Sequence, residues 1–160
     1  MNIEKLHKDA LDFLNKQTDD VKHINSMGFL RYIESFRTIT IGLPRQSGKT
    51  EYLLKLKKDL SCLMLVPNRA IMDHIKRFAY EYSNTSSEIF TFDSITTLVD
   101  KNRYSYSYPP GLKYSAFLID EYSFMTQTQK ILFMEALELL HERRMLTKDF
   151  YVLRLGTPAI

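Results

Sequence analysis

The sequence predicts an α/β fold: a mainly parallel five-stranded sheet with helices on both faces, preceded by a helical segment over residues 1–36. Two observations carry this. From Arg37 onward, short β-branched or apolar runs alternate with longer segments at helical spacing, the pattern of strands joined by crossover helices. Before Arg37 the apolar residues recur only at helical spacing.

Ile3, Leu6, Ala10, Phe13 and Leu14 give a first helix. Asp19 and Asp20 favour a new helix start, and Val21, Ile24, Met27 and Leu30 continue the pattern, with Gly28 an awkward residue inside it. Thr38 to Ile41 reads as a strand, and a Gly/Pro turn leads to a helix over Lys49–Asp59. Ser61 to Val66 reads as a buried strand that Pro67 ends. Ala70 to Tyr82 reads as a helix, Glu88 to Phe92 as a strand, and Ser94 to Val99 as a helical turn. Residues 101–113 have no core pattern and read as a loop. Tyr114 to Ile119 reads as a strand, Gln127 to Leu146 as a long amphipathic helix, and Phe150 to Leu155 as the last strand. No internal repeat or heptad array is visible.

The 160 residues correspond to one domain, 44% hydrophobic and 26% charged, with five Gly and five Pro. Collagen-like and disordered classes are excluded. The single cysteine, Cys62, excludes an internal disulfide and a four-cysteine zinc site. The charge of +3 permits an anionic partner without requiring one. No signal peptide and no membrane span are expected, and a free cysteine fits a reducing interior, so the reading is cytoplasmic. The four histidines are scattered without ligand spacing.

The chemistry-bearing signal is TITIGLPRQSGKTEYLLKL. A strand enters a turn, then Gly48-Lys49-Thr50, then a helix. Gly48 lets backbone approach a phosphate closely, and the N–H groups at the helix start hold its oxygens. Lys49 supplies charge to the β- and γ-phosphates, and the Thr50 hydroxyl is a magnesium ligand. The usual G-x-x-x-x-G-K-[ST] pattern is imperfect, because Leu43 stands where its first glycine belongs and Gly42 lies one position early.

AFLIDEYSFM places Asp120 and Glu121 at the C-terminal end of a buried strand, where ligand sites of parallel α/β sheets lie. Asp120 is expected to hold Mg²⁺ and Glu121 to polarise a water for attack on the γ-phosphate. A glutamate directly after the magnesium aspartate favours water as the nucleophile. DFYVLRLGTPAI ends a strand at Gly156-Thr157-Pro158, where a hydroxyl can contact the γ-phosphate or link Glu121 to other groups; a plain strand-ending turn explains the same residues.

LPRQSGKT, LIDEYSFM and LGTP together resemble the ATPase domain of the large terminase subunit, the DNA-packaging motor of tailed bacteriophages. That family often carries an Arg-Gln-x-Gly-Lys-Thr/Ser loop whose first glycine is replaced. The resemblance spans roughly residues 37–160 and implies a three-layer P-loop NTPase of the RecA/ASCE-like type, in which an additional strand separates those carrying the loop and the acidic pair. It implies an ATPase using ATP and Mg²⁺, double-stranded DNA as partner, and other packaging proteins (portal, small terminase, nuclease) or a homo-oligomeric ring as associates. Pro44, Arg45, Gln46, Ser47, Gly48, Lys49, Thr50 and Thr157 become nucleotide-binding residues. Thr50 and Asp120 become metal ligands. Lys49, Arg45 and Glu121 become catalytic. Arg45 matches an arginine proposed to act on the γ-phosphate; a phosphate clamp or an exposed loop arginine fits it equally. The nuclease domain of that family has no counterpart in these 160 residues, which leaves a fragment or a stand-alone ATPase.

LMLVPNRAIMDHI and FTFDSITTL resemble segments of helicase cores, where an arginine such as Arg69 touches nucleic-acid backbone. Three alternatives follow: a helicase-like ATPase, a nucleotide-gated DNA-binding or loader module with negligible turnover, and a nucleoside kinase similar to tetrameric thymidine kinase. The kinase lacks its cysteine zinc ribbon here. The run RYSYSYPPG reads as a surface loop with packed tyrosines in preference to a base-stacking platform. Lys55, Lys57, Lys58, Arg143 and Arg144 are expected to favour the C-terminal dipoles of their helices.

Overall fold

The computed structural model describes residues 2–20, 28–44, 48–78, 89–95 and 113–157. Their elements are α1 (Ile3–Asp20), α2 (Phe29–Phe36), β1 (Thr38–Gly42), α3 (Lys49–Asp59), β2 (Cys62–Val66), α4 (Arg69–Phe78), β3 (Ile89–Thr91), β4 (Tyr114–Ile119), α5 (Gln127–Glu142) and β5 (Leu146–Gly156). The five strands form one sheet in the order β1-β5-β4-β2-β3, and every neighbouring pair is parallel. The last strand in sequence thus lies between the first and the fourth.

Both sheet faces are covered, and the period of two along each strand sorts side chains between them. Leu63, Leu65, Phe117, Ile119 and Val152 face α2 and α5, packing with Ile33, Phe133, Ala136 and Leu137. Cys62, Met64, Val66, Ala116, Leu118, Leu153 and Leu155 face the other way, packing with Leu14 of α1, Leu53 and Leu54 of α3, and Ile75 of α4. The N-terminal helices therefore take opposite sides: α1 joins one layer and α2 the other.

Local signals explain the helix starts. The Thr126 hydroxyl accepts from the Gln129 N–H while the Gln129 side chain accepts from the Thr126 N–H, a reciprocal cap on α5. The Asn68 side chain accepts from the Ile71 N–H at the start of α4.

Four boundaries differ most from expectation, beside one-residue shifts such as those at Gly42, Cys62 and Arg69. The first helix continues through Asp20 instead of restarting at Asp19, and the next begins at Phe29 behind an extended Gly28. Side-chain bonds hold the last turn of α1: the Thr18 hydroxyl donates to the Leu14 carbonyl one turn back, and Arg37, from beyond α2, donates to the side chains of Asn15 and Thr18. Helix α5 stops at Glu142, not Leu146, because Arg144 turns the chain with φ 56°. Leu146 instead opens β5 opposite Tyr114, so β5 starts four residues before Phe150, with a register shift between Tyr114 and Ala116. Arg144 thus lies past the dipole end it was assigned to. The expected helix and strand portions within 79–88, the helical turn beyond Ile95 and the loop through residue 112 lie outside the described residues. No helix among the described residues is long and apolar enough to cross a membrane.

Candidate phosphate and carboxylate site

The C-terminal ends of β1, β5 and β4 are level with one another. Gly42 pairs with Gly156, and Ile119 pairs with Arg154. The Leu43 N–H donates to the Gly156 carbonyl at 2.8 Å, extending the first pairing by one bond. The turn after β1, the acidic pair after β4 and Thr157 after β5 therefore meet in one place.

Leu43 is completely buried, so its side chain anchors the turn where the common pattern has glycine. Gly48, at φ 80° and ψ 21°, is the left-handed residue that redirects the chain into α3, and a side chain there is strained. The first N–H groups of α3 lack intrahelical partners, as at any helix start, and carry the positive end of its dipole. Arg45, Gln46 and Ser47 lie outside the described residues, and with them the assignment of Arg45 as a catalytic arginine.

Lys49 is buried at the first position of α3. Its ammonium lies 3.3 Å from the Leu43 carbonyl, 3.0 Å from the Pro44 carbonyl, 3.2 Å from the Thr157 hydroxyl and 3.3 Å from Glu121 Oε1. Four acceptors share three N–H donors, at distances longer than the ~2.7–2.9 Å of strong charge-assisted bonds. The cation is surrounded by oxygen but tightly committed to no one group. Pro44 thus enters the site through its carbonyl, a role its side chain does not suggest.

Thr157 completes a three-residue cluster. Its hydroxyl accepts from Lys49 and donates to the Glu121 carboxylate, whose oxygens lie 3.2 and 3.1 Å away. Glu121 adopts φ 50° and ψ 51°, the left-handed region, and forms the N-cap of a short 3-10 turn over Tyr122–Phe124. An L-residue there is strained by roughly 1–2 kcal/mol, and the strain places the carboxylate over the Thr157 hydroxyl.

Asp120 is almost fully buried, and the Thr50 hydroxyl donates to its Oδ2 at 2.7 Å. Burial raises its carboxyl above the ordinary value and the neighbouring Glu121 charge adds to this; the Thr50 bond and the Lys49 charge pull the other way. Its second oxygen, Oδ1, is buried without a hydrogen-bond partner among the described residues. A buried carboxylate oxygen in that condition suits a cation. Thr50 and Asp120 are the two residues here whose side-chain oxygens could hold a nucleotide-bound Mg²⁺, with its other positions left to phosphate and water. Among the described residues no group of three or more His, Cys, Asp or Glu can hold a metal.

All described residues named by the sequence thus come together: Pro44, Gly48, Lys49, Thr50, Asp120, Glu121 and Thr157. Sequence reasoning missed the cations around Tyr122, the residue that follows Glu121. Arg154 lies over the Tyr122 ring at 4.0 Å and Lys130 lies 5.0 Å from its centroid. The signal was present, since Arg154 is a lone charge in the apolar run YVLRLG. Compared with known proteins, the chain matches no protein-family model, and no curated protein sequence is significantly similar to it.

Proposed function

We propose that the chain is a Mg²⁺-dependent P-loop ATPase of the ASCE type, hydrolysing ATP to ADP and phosphate to drive work on DNA, as the resemblance to terminase ATPase domains implies. The carrying observation is the meeting of two pairs at adjacent strand ends, Lys49 with Glu121 and Thr50 with Asp120. The strand order supports the ASCE reading, because β5 separates the strand of the loop from the strand of the acidic pair.

In this reading the α3 amides and the Gly48 turn receive phosphate oxygens. Lys49 exchanges its carbonyl and hydroxyl acceptors for the β- and γ-phosphates. Thr50 and Asp120 hold Mg²⁺, which when bound offsets charge on those phosphates. Glu121, released from Lys49, accepts a proton from water as the water oxygen bonds to the γ-phosphorus and the bond to the ADP oxygen breaks. Thr157 keeps the Glu121 carboxylate oriented throughout. Phosphoryl transfer depends mainly on positioning and charge stabilisation, and these residues supply both.

Phosphate release from Mg·ATP, measured with and without double-stranded DNA, tests the proposal. Mg²⁺-dependent release that rises with DNA supports it. Transfer of the phosphoryl group to a nucleoside, or ATP binding without turnover in the presence of DNA, contradicts it.

A further inference from the structure

Strand β1 ends the sheet on one side and β3 on the other. Three residues make β3 short enough to blunt its edge, whereas β1 runs five. The bonds that bracket the β1–β5 pairing run from the Val152 N–H to the Arg37 carbonyl and from the Leu43 N–H to the Gly156 carbonyl. In a parallel pair, Arg37, Ile39, Ile41 and Leu43 therefore turn their backbone groups toward β5. Thr38, Thr40 and Gly42 turn theirs outward. Among the described residues no hydrogen bond meets those outward N–H and C=O groups. Thr40 and Gly42 are exposed, and an exposed glycine is exposed backbone.

The two sides of this edge differ. On one, Ile39 and Ile41 belong with Leu14, Ala10 and Leu11 of α1. On the other, Thr38 pairs with Val152 and Thr40 with Arg154. Thr38 there borders a groove of about 230 Å³ between α2 and α5, floored by Ile33, Leu137 and Val152. The Arg154 guanidinium donates to the Thr40 hydroxyl through Nε at 2.9 Å and Nη2 at 2.7 Å, which holds it at the edge. Lys130 lines the same groove, and so does one acid, Glu34. Neither cation has a carboxylate within ion-pair distance among the described residues.

We propose that the free edge of β1 binds an extended segment of a different protein by strand addition. The segment's main chain pairs with Thr38, Thr40 and Gly42. Its β-branched residues lie beside Ile39 and Ile41, an apolar residue lies beside Thr38 over the groove, and an Asp or Glu lies beside Thr40. Side chains opposite one another on neighbouring strands are ~4.5–5.5 Å apart at Cβ, so that carboxylate reaches Arg154. A second copy pairing through its own β1 offers Thr and Ile but no acid to Arg154. The inference does not rest on the nucleotide chemistry, and its test needs no ATP.

Fluorescence anisotropy tests it, with the full chain titrated into the labelled peptide Lys-Thr-Val-Ile-Glu-Val-Thr-Lys and, separately, into the reversed sequence. One of the two is expected to bind saturably. N-methylation of one alternate set of its backbone nitrogens abolishes binding and of the other set leaves it, as strand pairing requires. Arg154→Glu weakens binding about tenfold, and a peptide with Lys in place of its Glu recovers part of the loss. No binding by either peptide overturns the proposal, as does an equal response to both methylation sets or indifference to Arg154→Glu. Proline is tolerated where an edge N–H faces outward, as at Thr40. A chain that sediments as a dimer, and as a monomer in Thr40→Pro, gives the edge to a second copy and also overturns it.

Discussion

The Thr50 hydroxyl donates a 2.7 Å hydrogen bond to Asp120 across 70 residues of sequence. The bond joins the first turn of α3 to the end of β4, although β5 lies between the strands that lead into them. It leaves one buried Asp120 oxygen free of partners among the described residues. Removing the hydroxyl strips the proposed Mg²⁺ ligand and a hydrogen bond to Asp120 together. Thr50→Val is expected to raise the Mg²⁺ concentration needed for half-maximal turnover by about tenfold or more. Thr50→Ser, which retains the hydroxyl, stays close to wild type. Equal Mg²⁺ dependence in Thr50→Val and wild type would contradict the ligand assignment.

In the proposed mechanism Thr157 positions Glu121. Thr157→Val removes the acceptor for Lys49 and the donor to Glu121 while keeping the shape. Turnover at saturating ATP is expected to fall by about tenfold or more, with KM changed far less and Thr157→Ser restoring the rate. Loss of ATP affinity at unchanged turnover would show that the hydroxyl serves binding instead.

The left-handed backbone at Glu121 sets up a stability test separate from activity. Glu121→Ala and Glu121→Gly both lose the carboxylate, but only glycine adopts φ 50° without strain. Glu121→Gly is expected to unfold at higher urea than Glu121→Ala, by about 1 kcal/mol, while both lack turnover. Alanine as the more stable of the two would mean that the backbone relaxes there.

Arg37 is buried, and among the described residues no carboxylate lies within ion-pair distance of it. Its guanidinium donates to the carbonyls of Phe150 and Asp149 and to the side chains of Asn15 and Thr18, joining α1 to the inner strand β5. Arg37→Met keeps the stem but leaves the Phe150 and Asp149 carbonyls without those donors. A loss of about 3 kcal/mol is expected in chemical denaturation. A loss below about 1 kcal/mol would show that water replaces the guanidinium.

His7 makes stability pH-dependent. Its Nδ1 lies 2.6 Å from the Tyr52 hydroxyl, and its buried Nε2 has no partner among the described residues. Burial lowers its pKa below the ordinary 6.5. The unfolded chain therefore takes up a proton near pH 6.5 that the folded chain refuses until lower pH. Stability is expected to fall as pH drops through 6.5, by at most about 1.4 kcal/mol per pH unit, until the folded-state pKa is reached. His7→Leu, compared by urea unfolding between pH 7.5 and 5, is expected to lack this part of the slope. Parallel pH profiles for the two proteins would remove His7 as the cause.

The fold was legible wherever local pattern and tertiary packing agree. Lys49–Asp59 and Tyr114–Ile119 match their expected bounds, because Gly48 punctuates the start of the helix and the unbroken apolar run Ala116–Ile119 gives way to the charged Asp120. The boundary near Leu146 was not legible. Met145 and Leu146 continue the apolar spacing of α5, and only the left-handed Arg144 and the pairing with Tyr114 turn them into strand. Thr147, Lys148 and Asp149 then disguise the first part of β5 as a loop. The site was legible through residue types at strand ends, which identify Lys49, Thr50, Asp120 and Glu121. Its backbone partners were not: nothing in a side-chain pattern marks the carbonyls of Leu43 and Pro44 as acceptors for Lys49. The Lys130–Tyr122–Arg154 stack was hidden for a similar reason, since it joins three separate elements.

The most direct test of the central claim compares ATP binding and single-turnover hydrolysis in wild type and Glu121→Gln. The account predicts Mg²⁺-dependent hydrolysis by the wild type, and in the variant equally tight ATP binding with hydrolysis slowed about 10²–10⁴-fold. Hydrolysis by Glu121→Gln at the wild-type rate, or a wild type that binds no ATP, would contradict it.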